Sequence, residues 1–166
     1  MLDDPIPLAP CPENNGGMEK LHFVTKIDAP AAVVWNAMLG DETYREWTNE
    51  FNPGSYFEGG WEQGDIIRFL GPDENGEIGG MLGRIVANIP NEFVSIEYYG
   101  LVANGVDDTT SEAVKELVGT HESYTLSEAG GVTTVEIELD IEDAYVEMFN
   151  EMWPRALAKL KEIVER

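Results

Sequence analysis

Histidine, cysteine and basic side chains are all scarce in this sequence, and each shortage removes a class of chemistry. The two histidines, His22 and His121, allow no His-Glu-x-x-His helix and no Cys/His cluster, so neither a zinc site of usual composition nor any cofactor is expected. The single cysteine, Cys11, cannot form an internal disulfide, which makes a reducing cytoplasm the expected location. No serine stands in a Gly-x-Ser-x-Gly elbow. No run approaches the roughly 18 consecutive apolar residues of a membrane-spanning helix. Lysine and arginine number 10 against 32 aspartates and glutamates, for a formal net charge of −22. Such a field repels phosphate backbones and anionic lipid, so neither nucleic acid nor a membrane surface is an expected partner.

The acid excess has four readings: a solvated surface that resists aggregation, adaptation to high salt, a docking face for a basic protein partner, or a divalent-cation site. A chain of 166 residues suits one domain, and 43% hydrophobic with 10% aromatic content is that of an ordinary globular protein.

Residues 1–17 hold Pro5, Pro7, Pro10 and Pro12 and end in Asn14-Asn15-Gly16-Gly17, which predicts an irregular arm. Leu8-Ala9-Pro10-Cys11 faintly resembles a lipoprotein cleavage box, but no basic or apolar stretch precedes it and no signal peptide is expected. From Met18 a single domain is predicted. Residues 20–27 alternate Leu21, Phe23, Thr25 and Ile27 against His22, Val24 and Lys26, as a strand does. Pro30 opens a short helix that Gly40 ends, and a second spans Glu42 to Trp47 with Asp41 as cap. Six more strands follow: Ser55–Trp61, Ile66–Leu70, Gly79–Ile89, Phe93–Gly100, Thr120–Glu128 and Val132–Ile141. Their short connections imply an antiparallel meander. Before the sixth strand, Thr109 and Glu112 have capping-box spacing ahead of a short helix through Val118. Phe149, Trp153, Ala156, Leu160 and Ile163 form the apolar stripe of a long C-terminal helix from about Asp143 to Arg166, which Pro154 is expected to kink or restart.

This order resembles the α+β helix-grip fold of the START-like (SRPBCC) superfamily, a curved antiparallel sheet of about seven strands wrapped around a long C-terminal helix. Phe57-Glu58-Gly59-Gly60-Trp61-Glu62-Gln63-Gly64-Asp65 with Arg68-Phe69, and Trp153-Pro154-Arg155-Ala156-Leu157, resemble the bacterial family named after the activator of the heat-shock-ninety ATPase. Ser111-Glu112-Ala113 with His121-Glu122-Ser123-Tyr124 resembles a subgroup carrying an extra short helix. The resemblance implies a cavity between sheet and terminal helix, and a family without a shared catalytic motif. The ATPase-stimulating action of the eukaryotic co-chaperones also uses a separate N-terminal domain, which residues 1–17 are too short to supply.

Trp47, Trp61, Phe69, Tyr98, Tyr124, Phe149 and Trp153 fall where that fold turns side chains inward, and with Met152 they are the candidate cavity lining. Arg84, between Leu82 and Val86 on one strand face, is either an anchor for a ligand carboxylate, an internal salt bridge or a surface arginine. His121 and Glu122 are adjacent on a strand, point to opposite faces and cannot share a substrate proton, although His121 remains able to pair with a carboxylate on a neighbouring strand. His22 reads as surface. The glycines of Gly79-Gly80-x-x-Gly83 fit a bulge or close packing better than a phosphate cradle. The expected function is therefore a module binding a small apolar or aromatic molecule. A protein-interaction or co-chaperone-like module and a cyclase, isomerase or hydrolase stand as alternatives.

Overall fold

The computed structural model describes residues 17–166; the expected arm, Cys11 included, lies outside the described residues except for Gly17. Among the described residues eight strands form one antiparallel sheet: β1 (Met18–Ile27), β2 (Tyr56–Gly59), β3 (Ile66–Pro72), β4 (Ile78–Ile89), β5 (Phe93–Ala103), β6 (Val106–Asp108), β7 (His121–Ala129) and β8 (Val132–Glu142). The order is β1-β8-β7-β5-β4-β3-β2, and β6 pairs with the far end of β5 beyond the stretch that β7 covers. Helices α1 (Ala31–Leu39) and α2 (Asp41–Trp47) follow β1, α3 (Glu112–Lys115) precedes β7, and α4 (Val146–Glu165) closes the chain. This is the helix-grip architecture.

Alternation decides the faces. Leu21 and Ile27 are buried while His22, Val24 and Lys26 are exposed, and Tyr124, Leu126, Val135, Ile137 and Leu139 continue the inner face across β7 and β8. Into that face α4 buries Trp153, Ala156, Leu157, Leu160 and Ile163, a stripe that its 3.6-residue period keeps on one side. The bidentate pairing of Arg166 with Glu46 at 3.1 Å links the end of α4 to α2.

Four local expectations differ from the structure. The eighth strand, β6, is new. Gly40, not Asp41, caps α2, and Asp41 is its first residue. At α3 the cap position belongs to Ser111, without a side-chain capping bond; Asp108 instead accepts bonds from the backbone and hydroxyl of Ser111, so the Thr109–Glu112 box does not form. Lastly, α4 does not restart at Pro154. Pro154 and Asn150 are both exposed, so the carbonyl that proline leaves without a donor faces solvent, where it is satisfied at little cost.

Irregular pairing between β4 and β5 sets the aim of several inner side chains. Leu82 pairs with Gly100 and Gly83 with Tyr98, which makes Tyr99 the extra residue of a bulge. Tyr98 is thereby buried on the inner face. Leu82 joins Leu70 and Val102 in a second small cluster on the opposite face, flanked by Tyr56, Ile78 and Tyr99.

Candidate functional site

One aromatic network joins most of the candidate lining residues. Trp153 lies 6.0 Å from Trp47 and 6.2 Å from Tyr124, centroid to centroid, and Trp61 lies 5.7 Å from Phe69, which contacts Tyr98 at 6.1 Å. Sequence reasoning passed over Tyr44, which binds the two groups together, and Phe51, which adds Phe149 to the first. Tyr44 touches Trp47, Phe57, Trp61 and Phe69 at 5.0 to 6.3 Å, and Phe51 bridges Phe149 and Trp153 at 6.3 and 4.8 Å. Trp47, Tyr98, Tyr124 and Trp153 are buried, so their rings fill much of the space between sheet and helix. Met152 is half-buried on α4.

Arg84 stands apart from this network. Its guanidinium lies 4.9 Å from the Tyr99 ring and 4.0 Å from Glu97, and the side chain is 45% exposed. Leu82, the apolar neighbour that suggested an inward arginine, is buried in the opposite-face cluster. Glu97 also stands 3.8 Å from His121, whose backbone N–H donates to Asp140 at 2.9 Å. His22 is exposed beside Glu136. The glycines of β4 serve packing: a Cβ on Gly83 would come within 2.7 Å of Ile96 Cγ2.

Between the sheet and the start of α4 a cleft of about 90 Å³ remains open, lined among others by Met81, Tyr98, Leu117, Thr120, Glu122 and Phe149. Glu122 lies in its wall. The Tyr98 hydroxyl donates to Glu122 Oε1 at 3.0 Å and the Tyr124 hydroxyl to Oε2 at 2.5 Å. Burial raises the carboxyl above its ordinary range, against the pull of these two bonds. Burial and the adjacent carboxylate charge likewise hold Tyr44, Tyr98 and Tyr124 well above the usual phenol value, so all three stay protonated and Tyr98 and Tyr124 remain donors to Glu122. Glu122 was not among the candidate lining residues, yet its signal was present: Glu122, Tyr124 and Leu126 alternate, and an inward Tyr124 requires an inward Glu122.

On the other side of Met81 lies an open groove of about 390 Å³, bordered by Asn52, Ser55, Phe69, Pro72 and the backbone of Gly79-Gly80. Met81 and Leu70 link it to β3 and β4. Among the described residues, no three His, Cys, Asp or Glu side chains stand together as metal ligands, and no helix is long and apolar enough to cross a membrane.

No family model matches this chain, and no curated protein sequence matches it. Solved structures do. A Nitrosomonas europaea protein, NE0264, aligns with a TM-score of 0.67 at 14% identity over 88% of this chain and 94% of its own. The Aha1 dimer of Colwellia psychrerythraea aligns with a TM-score of 0.63 at 18% identity over 89% and 96%. CalU16 of Micromonospora echinospora aligns with a TM-score of 0.59 at 20% identity over 89% and 74%. These likenesses establish the fold.

Proposed function

We propose that this chain is a small-molecule-binding module whose ligand enters between the sheet and α4, in the company of the bacterial family whose glycine-punctuated hairpin and closing helix it resembles. The observation that carries the reading is the cleft at Glu122. There Glu122, held by two tyrosine hydroxyls, and a few other polar groups stand among walls that are mostly apolar, the combination that small-molecule sites use. The likeness in fold to the Colwellia Aha1 dimer supports the family part of the proposal.

The test is titration with a neutral environment-sensitive dye such as N-phenyl-1-naphthylamine. Saturable one-site binding, lost in Leu117→Trp because the larger ring fills the cleft, is the expected result. Non-saturable binding, or saturable binding that Leu117→Trp leaves intact, would sink the proposal.

A further inference from the structure

Glu122 carries an unused capacity. A carboxylate offers about four lone-pair directions, and the two tyrosines occupy one on each oxygen. Among the described residues no ion pair includes Glu122, and no lysine, arginine or histidine lines the cleft. Asp140, at the same cleft, is already held by Lys20 at 2.9 Å and by the His121 N–H, and these bonds outweigh burial to keep its carboxyl below the ordinary value. Glu116 and Glu142 add two further acids to the lining. The remaining wall is apolar: Met18, Met81, Leu117, Leu139, Ile141 and Phe149. The Thr120 hydroxyl donates to Leu117 O at 2.7 Å, which leaves its oxygen free to accept.

We infer, on the reading of the cleft as a ligand site, that the ligand is an amphipathic amine whose ammonium group pairs with Glu122 and whose apolar body runs past Met81 toward Phe69. An ammonium group brings three donors and no acceptor, which is what a carboxylate with spare lone pairs and an accepting threonine oxygen call for. A carboxylate ligand would meet Glu122, Glu116 and Glu142 with no cation to offset them. The formal charge of −22 acts in the same direction, concentrating cations at the protein and repelling anions. Size fixes the shape. At roughly 30 Å³ per water, a cleft of about 90 Å³ holds an amine head and a few carbons. The rest of the molecule must leave it, and Met81 borders both the cleft and the groove of about 390 Å³ that Phe69 also lines. A methionine there is a flexible, apolar partition that a chain can displace.

Octylamine, octanol and octanoate, titrated by calorimetry at constant pH and ionic strength, separate the possibilities. The expected order is saturable octylamine binding, octanol at least 10-fold weaker, and octanoate weaker still. Glu122→Gln should weaken octylamine at least 10-fold while its circular dichroism and cooperative melting show that the variant is folded. Octanol or octanoate binding as tightly as octylamine would overturn the amine assignment while the cleft remained a ligand site. So would octylamine binding that Glu122→Gln does not weaken, because it would reflect the acidic surface alone. Binding by none of the three would remove both the assignment and the ligand site.

Discussion

At one end of the inner face Trp47, Phe51 and Trp153 fill the space between sheet and α4 with ring against ring, while at the other Tyr98 and Glu122 line a cleft. The closed end is organised by shape. It tolerates an indole: Trp153 Nε1 is buried with no partner among the described residues, at a cost of about 1–3 kcal/mol that the ring's packing outweighs. The cleft end is organised by hydrogen bonds, and each buried hydroxyl of Tyr98 and Tyr124 has its acceptor. The proposed site therefore lies where packing gives way to polar complementarity, beside an end whose close packing would hold it in place.

The contrast is broken most severely at Trp153. Trp153→Ala removes the ring that touches Phe23, Trp47, Phe51 and Tyr124 and should cost about 3–5 kcal/mol in urea denaturation. Trp153→Phe, which deletes the unpaired N–H and keeps most of the ring contacts, should cost well under half as much. Equal losses for the two variants would mean that the closed end depends on the indole nitrogen and not on shape.

At the cleft end the expected effect is smaller and depends on pH. Glu122 titrates above its ordinary value of 4.5 in the folded protein because burial disfavours its charged form, so ionising it costs stability. The stability it contributes is full below the unfolded value and is lost as pH rises through the raised folded one. Glu122→Gln has no such loss, so its melting temperature should match that of the parent near pH 4 and exceed it at pH 8. The gap should widen as pH rises from 4 to 8. A gap that narrows as pH rises would reverse the assignment of burial as the dominant influence on Glu122.

Much of this was legible in the chain. The alternation of Leu21, Phe23 and Ile27, and the stripe from Phe149 to Ile163, each encode which side is buried, because burial is what selects those residues at those periods. β6 escaped because Val106 is 67% exposed and its two partners are aspartates, so no apolar alternation marks it. Asn104-Gly105, with φ of 52° and 76°, was the readable sign, since two successive positive φ angles make a tight hairpin. The aromatic network was legible residue by residue, but its tightness was not: whether rings line a cavity or fill it depends on distances such as the 4.8 Å between Phe51 and Trp153. Arg84 misled because Leu82 is indeed buried, in a cluster that the sequence does not distinguish from the main core.

Arg84 also supplies the smallest effect and the cleanest control. Its contacts, a guanidinium 4.9 Å from the Tyr99 ring and a 4.0 Å approach to Glu97, are those of a solvated surface pair. Exposed ion pairs contribute roughly 0–1 kcal/mol and are weakened further by salt. Arg84→Ala should therefore change stability by no more than about 0.5 kcal/mol in denaturant melts. It should also leave dye and octylamine binding within 2-fold of the parent, because Arg84 and the cleft lie on opposite faces of β4. A loss of ligand affinity without loss of stability would show that the outer face takes part in binding, and the division of the sheet into a binding face and a solvated face would have to be abandoned.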